Sequence, residues 1–370
     1  MAQRNRVEIS YGALQHNVRV IRAAAQPRAL IAVVKADAYG LGVERCARIY
    51  VEAGVAGVAV ATVGEAQRVA AAVPATRIML LGSPLPEERQ AVVDAGCDVW
   101  VSSGDEILDF ATRAHPQRPA RVHLAVDTGM GRSGCRPDQA MDLVRLILSQ
   151  PNLRLVGVAT HYPQALDAAF ALQQEQAFAA FVAELQACMG RFADDFWIHQ
   201  ANSEGLLVRP MGPCTAVRVG ILLTGVSAER IAGKTLRPAL RWRSAVTLVK
   251  ELPAGHSISY NRTCILTRPT RVALISVGYA DGYPFQCSGK GASVLIRGCR
   301  CAILGRVTMD YLVVDVSDLQ GVPVPGEEVV LVGEQGGAGI SVAELAQWAD
   351  SIPYDIICGF RGRCEILGVP

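Results

Sequence analysis

The sequence has no excess of charge of either sign, and its charged fraction is small. Its 370 residues contain 36 Lys and Arg against 34 Asp and Glu, a formal net charge of +2, and charged residues make up 19% of the chain. A surface that binds nucleic acid needs clustered cations to neutralise phosphates, so this balance argues against a nucleic acid partner. The hydrophobic share of 51% excludes disorder for most of the chain and favours a large interior or a buried subunit interface.

Long apolar runs and a secretory leader are missing as well. The longest uncharged apolar stretches, such as 53–64, are too short and too rich in glycine to cross a bilayer. Arg4, Arg6 and Glu8 near the N-terminus have no apolar core behind them, unlike a signal peptide. We therefore expect a cytoplasmic protein with no membrane partner.

Paired cysteine motifs are also absent. The eleven cysteines are scattered singly except for Cys299 and Cys301, and the sequence has neither a CxxC pair nor a histidine cluster. Because structural zinc sites need such spacings, we expect no metal and interpret the cysteines as reduced, mostly buried thiols.

Between residues 30 and 225, short apolar runs alternate with longer amphipathic segments, which is typical of βα units and a parallel sheet. Eight such repeats favour a TIM barrel over an open doubly wound sheet. The predicted strands are 30–34, 55–61, 77–81, 99–102, 122–126, 155–160, 196–199 and 217–223, and the predicted helices include 43–53, 87–95 and 168–189.

From about residue 236 the pattern changes to β-branched runs separated by glycine and proline. One helix is predicted at 341–349, where Ser341 and Glu344 have the spacing of a capping box, and Pro353 ends it. The sequence thus predicts an α/β protein with an N-terminal TIM barrel, residues 1–235, and a C-terminal mostly-β domain, residues 236–370. The predicted strands of this domain are 244–252, 271–277, 293–296, 312–316 and 328–332.

Lys35 directly follows the first predicted strand. This position is the C-terminal mouth of the predicted barrel, where active sites of this fold lie. Desolvation by the strand ends would lower the pKa of the amine and allow it to bond to an aldehyde cofactor, and Tyr39 could hydrogen-bond a phosphate. The alternative is a lysine on the barrel rim that pairs with Asp37.

Segment 32–42, Ala-Val-Val-Lys-Ala-Asp-Ala-Tyr-Gly-Leu-Gly, resembles the pyridoxal-phosphate attachment site of the alanine racemase family, with Leu41 where that family has His. Eight further motifs are similar to those of the family and occur in the same order, so the resemblance covers nearly the whole chain. They are Val126–Arg132, Thr160-His161, His199–Ser203, Arg218–Ile221, Ser259-Tyr260, Gly278–Gly282, Thr308–Asp310 and Pro353-Tyr354.

The predicted phosphate site agrees with this resemblance. In TIM barrels a phosphate binds at the loops after strands seven and eight and at the N-terminus of a short helix. Asn202-Ser203 and Gly220-Ile221 occupy those places in the sequence. Each has an alternative interpretation, since Asn202-Ser203 can be an ordinary helix cap and Gly220 a glycine at a barrel corner.

The resemblance implies that Arg218 faces the pyridine nitrogen of the cofactor. A guanidinium can only donate hydrogen bonds, so the ring nitrogen stays unprotonated, which weakens the cofactor as an electron sink and disfavours transamination. A buried salt bridge is the alternative role for Arg218. The resemblance assigns to the cofactor Lys35, Tyr39, His161, Asn202, Ser203, Arg218, Gly220, Ile221 and Tyr354.

Racemisation needs acid/base groups on both sides of the cofactor plane. The resemblance implies that Lys35 is one and Tyr260 the other, with a chain from Tyr260 through His161 to Arg218 that lowers the pKa of the phenol. Taken alone, His161 is also compatible with a hydrogen-bonded core histidine, and Tyr260 with a half-buried strand aromatic.

The family forms its site across a head-to-tail homodimer. By resemblance the partner chain donates Tyr260, Tyr279, Met309 and Asp310. Arg132 and the Met309 backbone would bind the substrate carboxylate, while Tyr279 and Tyr354 would narrow the entrance.

Three substitutions depart from the family pattern. Ala125 occupies a position where many members have a lysine whose carbamate orients the equivalent of Arg132, and where members with Asn use a bound chloride. Alanine cannot be carbamylated, so the sequence leaves open what orients Arg132. Val219 replaces proline and Thr224 replaces a common tyrosine, and these changes affect the expected substrate preference more than the reaction type.

The resemblance implies pyridoxal 5'-phosphate-dependent racemisation of L-alanine to D-alanine for peptidoglycan. A broad-specificity or serine racemase shares every motif. A decarboxylase of the same fold type is disfavoured by Tyr260 and the short β domain. A non-catalytic cofactor carrier is also disfavoured, because such a protein has a single barrel and no counterpart of residues 236–370.

Overall fold

Eight parallel strands close into a barrel in the first two thirds of the chain. A computed structural model describes residues 4–226, 230–231, 233–360 and 362–370, and in it the eighth barrel strand pairs with the first. The strands are buried on both faces, as parallel strands covered by helices are. The predicted TIM barrel is confirmed. Its strands are Ala29–Val33, Gly57–Val60, Ile78–Leu80, Asp98–Val101, Ala120–Ala125, Leu153–Ala159, Trp197–His199 and Ala216–Val219.

Helices surround the barrel, and several begin at hydroxyl or carboxylate caps such as Thr62, which forms a capping box with Glu65. The predicted eighth strand, 217–223, is too long, because a short helix begins after Gly220. The helices are Tyr11–Ala25, Val43–Glu52, Val63–Ala72, Pro86–Glu88 (3-10), Arg89–Ala95, Gly104–Arg113, Pro137–Leu148, Ala168–Met189, Ser203–Val208 and Ile221–Thr224, and the short segment Lys35–Tyr39 after the first barrel strand is a left-handed turn.

The C-terminal region is mostly β, as predicted. Its long strand Leu240–Leu252 belongs to a nine-stranded sheet. Within this sheet it pairs with Thr270–Ile275 and with Glu328–Gln335, and each pairing contains a register shift. The other strands after the barrel are Thr270–Ile275, Ser293–Ile296, Cys299–Ala302, Leu312–Asp315, Glu328–Gln335, Ala338–Ile340 and Glu365–Val369, with two small pairs, Arg230–Ile231 with Lys234–Thr235 and Ser257–Ile258 with Cys264–Ile265. Three short 3-10 turns are Tyr260–Arg262, Tyr279–Asp281 and Phe285–Cys287.

The first strand of the chain, Arg6–Ser10, belongs to this C-terminal sheet and not to the barrel. It lies between Leu240–Leu252, to which it is antiparallel, and Glu365–Val369, to which it is parallel. The division at 235/236 stays a prediction, and the sequence pattern gave no sign that the N-terminus crosses to the other sheet.

The predicted C-terminal helix forms as Val342–Trp348. Ser341 Oγ accepts from Glu344 N (3.0 Å), whereas the Glu344 carboxylate binds Arg300 (2.7 Å), so only half of the predicted capping box is made. Pro353 does more than end this helix, because it begins a second one, Pro353–Cys358. That helix carries Tyr354 to the mouth of the barrel.

One apolar core runs continuously through both halves of the chain. In the C-terminal half it is centred on Trp242, whose ring packs against Tyr283 and Phe360. All eleven cysteines lie in the described part of the chain, and none of them forms a disulfide. Among the described residues, no helix combines the length and apolarity needed to cross a membrane.

Candidate active site

A cavity of about 390 Å³ opens at the C-terminal ends of the barrel strands. This volume lies within the roughly 300–1,000 Å³ of small-molecule sites. Nine of the predicted site residues line the cavity, namely Lys35, Tyr39, Arg132, His161, Asn202, Ser203, Arg218, Gly220 and Tyr354, together with Val33, Leu81, Gly82, Trp100 and Ser133.

Lys35 extends from the end of the first barrel strand into this cavity. Asp37, the alternative partner, instead accepts from Arg68 (2.7 Å) and from Val43 N (3.0 Å). No carboxylate in the described part of the chain forms an ion pair with the Lys35 amine. Burial, and then the nearby Arg132 guanidinium, lower the pKa of this amine, which makes it a better nucleophile and base at neutral pH.

The residues after Lys35 form a left-handed turn. Ala36 to Tyr39 all have φ between 53° and 58°, a conformation that costs about 1–2 kcal/mol for each L-residue. Backbone bonds from Ala38 N to Val34 O (2.8 Å) and from Gly42 N to Asp37 O (2.9 Å) hold the turn. The turn directs the Tyr39 side chain back into the cavity, where burial raises the pKa of its phenol and keeps it a hydrogen-bond donor.

Two short helices begin side by side at the cavity floor. Asn202 Oδ1 accepts from Gly205 N (2.8 Å), so Asn202 is a helix cap, and Ser203 Oγ accepts from Gly220 N (3.2 Å). A Cβ on Gly220 would overlap the Tyr39 hydroxyl. Glycine therefore lets the phenol approach the backbone at the start of Ile221–Thr224, and hydroxyl and backbone N–H donors converge at this place.

Arg218 lies on the last barrel strand and is only 3% exposed. It donates to the carbonyls of Thr160 (2.8 Å) and Gln200 (3.1 Å), and its guanidinium lies 5.2 Å from the centre of a Trp100 ring. The alternative role, a buried salt bridge, is not formed with any described carboxylate. Burial lowers the pKa of Arg218 to about 10, so the group is still a cation at neutral pH.

His161 receives a hydrogen bond from Arg218 through its Nδ1 (3.0 Å). Burial, followed by the charges of Arg218, Arg132 and Lys35, lowers the pKa of His161 to about 3. The ring is therefore neutral, and with Nδ1 accepting, its proton is on Nε2.

Arg132 lies on a loop that Asp127 organises. The Asp127 carboxylate accepts from the backbone N–H groups of Gly129 (2.9 Å), Met130 (2.8 Å) and Gly131 (2.9 Å). A space of about 10 Å³ lies between Ala125 and Arg132, roughly the volume that one water molecule needs. The Asp127 carboxylate thus fixes the loop backbone, whereas the methyl side chain of Ala125 offers no hydrogen bond to the Arg132 guanidinium.

The structure does not bring every predicted residue to this cavity. Tyr260, Met309 and Tyr279 are 70%, 51% and 39% exposed, and Asp310 pairs with Arg363 (2.7 Å) at the surface. Ile221 is buried and begins the helix next to Gly220 without lining the cavity. Within one chain, Tyr260, Tyr279, Met309 and Asp310 therefore form no part of the cavity wall.

Sequence reasoning missed two residues that contact Arg218. Trp100 was the second residue of the predicted strand 99–102 and received no role there. His199 lay inside one of the quoted motifs but received no role, although the structure places its ring against the Arg218 guanidinium.

Comparison with known proteins gives consistent matches over the whole length. Residues 9–228 match the family model for the N-terminal domain of alanine racemase, and residues 239–367 match the model for its C-terminal domain. The chain is 40% identical to an alanine racemase of Symbiobacterium thermophilum, over 96% of this chain and 94% of that protein. It is 37% identical to an alanine racemase of Methylacidiphilum infernorum, over 97% and 91%.

Solved structures agree with these matches. The crystal structure of alanine racemase from D-cycloserine-producing Streptomyces lavendulae matches with a TM-score of 0.90 at 33% identity, covering 100% of this chain and 98% of that one. Alanine racemase from Bartonella henselae with covalently bound pyridoxal phosphate matches with a TM-score of 0.87 at 26% identity, covering 99% of both chains.

Proposed function

Because this chain belongs to the alanine racemase family, we propose that it interconverts L- and D-alanine with pyridoxal 5'-phosphate as its cofactor. The observation that carries the proposal is the Lys35 amine, which lies in the barrel-mouth cavity without a carboxylate partner and has a lowered pKa. The product D-alanine would serve peptidoglycan synthesis.

The cavity fits this cofactor at three points. The Lys35 amine can bond to its aldehyde. The hydroxyls of Tyr39 and Ser203 and the backbone at Gly220 can bind its phosphate, in a place that a Cβ on residue 220 would fill. The Arg218 guanidinium can donate to its ring nitrogen, since no described carboxylate competes for it. When bound, the cofactor withdraws electrons from the substrate Cα and so acidifies its proton.

The protein supplies the proton transfers. With its lowered pKa, the Lys35 amine can take the Cα proton on one face of the substrate and return it. Arg218 has only donors, so it would hold the ring nitrogen of the cofactor unprotonated, which would favour racemisation over transamination. Arg132, on the loop fixed by Asp127, would bind the substrate carboxylate through a paired hydrogen bond.

The second proton donor would come from another copy of the chain. Tyr260, Tyr279, Met309 and Asp310 lie at the surface of the C-terminal half, and the exposed aromatic side chains are of the kind found in subunit interfaces. We propose a head-to-tail homodimer in which Tyr260 of one chain faces Lys35 of the other, with Tyr279 beside Tyr354 at the entrance.

Replacing Gly220 by alanine should weaken binding of the cofactor by about 5- to 150-fold, because the new Cβ displaces the Tyr39 hydroxyl, and overpacking typically costs about 1–3 kcal/mol. Equilibrium dialysis of the purified apoprotein against the cofactor measures this. Gly64→Ala is the matched control, since a Cβ on Gly64 meets nothing within 4 Å. Unchanged affinity in Gly220→Ala would show that Tyr39 and Gly220 are not at the phosphate.

The proposed reaction is tested by chiral analysis of the product formed from L-alanine with added cofactor. We expect equal amounts of the two enantiomers at equilibrium, and the same mixture from D-alanine. Parallel assays with L-serine, L-lysine and L-arginine measure specificity. A higher kcat/KM for any of these three would replace the alanine assignment with a different racemase.

A further inference from the structure

A continuous chain of polar contacts runs through the barrel interior, from Arg218 at the cavity to Asp98 at the first residue of the fourth strand. The Arg218 guanidinium contacts His199 Nδ1. His199 Nε2 lies 2.9 Å from His123 Nδ1, and His123 Nε2 lies 3.0 Å from Asp98 Oδ2. Both imidazoles are completely buried, and Asp98 is 1% exposed.

The two ends of this chain determine the direction of every hydrogen bond. A guanidinium only donates, so His199 Nδ1 must accept. An ionised carboxylate only accepts, so His123 Nε2 must carry a proton. If both rings are neutral, the middle bond can only run from His199 Nε2–H to His123 Nδ1.

The surroundings keep the His123 and His199 rings neutral and the Asp98 carboxylate ionised. Burial, the largest effect, lowers the pKa of both His123 and His199. Burial opposes ionisation of Asp98, but the hydrogen bond from His123 and the nearby arginines outweigh it and hold the pKa of this carboxyl well below its usual value. Arg77 and Arg121 each donate to Asp98 at 2.6 Å.

The alternative tautomer of His199 would direct an Nδ1–H at the Arg218 guanidinium, so that two donors would face each other. The two Nη groups of Arg218 also donate to the carbonyls of Thr160, Gln200 and His199 and to the His161 ring, and none of these bonds uses its Nε–H. One Nη1–H of Arg218 therefore meets an acceptor on the His199 ring only in one tautomer, and this is the tautomer that His123 and Asp98 also require.

We propose that Asp98, at the end of the barrel opposite the active site, is a positioning residue that fixes the Arg218 guanidinium through single tautomers of His123 and His199. The effect on turnover rests on the proposed function, because Arg218 would face the cofactor ring. The tautomers of His123 and His199 do not rest on the proposed function, and they are measured without any substrate.

The direct test is ¹⁵N NMR of the full-length protein labelled at its six histidines, with and without cofactor. His123 and His199 should each carry one proton, on Nε2, with Nδ1 unprotonated. A protonated Nδ1 on either ring of the unmodified protein would overturn the proposal, whatever any variant does and whatever reaction the protein catalyses.

Two variants then interrupt this series of hydrogen bonds at different places. Asp98→Asn removes the negative charge that sets the direction of the hydrogen bonds. His123→Phe keeps a ring of similar size and leaves Asp98 bonded to Arg77 and Arg121, so it remains informative if Asp98→Asn does not fold. In each folded variant we expect the Nδ1–H form of His199 to appear, and kcat to fall about 10-fold with KM within about 2-fold, the size of one lost hydrogen bond to a charged group.

Asp195→Asn is the matched control. Asp195 accepts from Arg121 and Arg154 in the same arginine cluster but lies outside the histidine chain. It should leave the His199 tautomer and kcat unchanged. If it reproduces the losses, or if both chain variants fold and keep the tautomer and kcat of the unmodified protein, the cluster has only a structural role and the proposal is wrong.

Discussion

Replacing Lys35 by alanine should lower kcat for alanine by at least about 10⁴-fold and abolish covalent attachment of the cofactor. In the proposed reaction the substitution removes both the amine that would bond to the aldehyde and one of two acid/base groups, each of which contributes several powers of ten in such reactions. The sequence contains only four lysines, and Lys35 alone lines the barrel-mouth cavity. The other three, Lys234, Lys250 and Lys290, are exposed.

The scarcity of lysine makes this prediction easy to measure. Reduction of the loaded protein with borohydride, followed by peptide mass analysis, should place the cofactor on the peptide that contains Lys35. Lys250→Ala removes an exposed lysine and should leave both attachment and turnover unchanged. Cofactor found on a peptide without Lys35, or turnover that survives in Lys35→Ala, would contradict the assignment of this residue.

The barrel could be predicted because its signals are local. Each strand is a short apolar run between helical segments, as in 77–81 and 122–126, and the closed sheet buries these runs on both faces. Lys35 was identifiable for the same reason, since a residue at the C-terminal end of a barrel strand is directed to the active-site face.

Features that depend on contacts distant in sequence were not predictable in this way. Strand Arg6–Ser10 pairs with residues more than 230 positions away, and nothing in its own pattern identifies those partners. The left-handed turn Ala36–Tyr39 contradicts the preferences of its residues, and is held by contacts outside it, including the bond from Asp37 N to Glu65 Oε1 (3.2 Å). The chain of contacts from Arg218 through His199 and His123 to Asp98 joins four separate strands.

Replacing Tyr260 by phenylalanine should lower kcat by about 10²–10⁴-fold, the range for loss of one acid/base group, while the cofactor stays bound. The substitution removes only the phenolic hydroxyl, and the ring still fills its place. Absorbance of the bound cofactor and racemisation in both directions are the measurements. Tyr311→Phe makes the same chemical change on another tyrosine of the C-terminal half, to which no role in the site is assigned, and should have little effect. Near-normal turnover in Tyr260→Phe would exclude a two-base reaction that uses this residue.

The inactive variants Lys35→Ala and Tyr260→Phe should restore activity to each other when mixed. If each site of a two-fold symmetric dimer takes Lys35 from one chain and Tyr260 from the other, a mixed dimer has one site with both native residues and one with neither. Random exchange makes half of the dimers mixed, so activity should recover to about a quarter of the native value. The 70% exposure of Tyr260 in the single chain is the physical reason to expect this outcome. Absence of recovery in dimers demonstrated to be mixed would mean that Tyr260 does not act on the Lys35 of a partner.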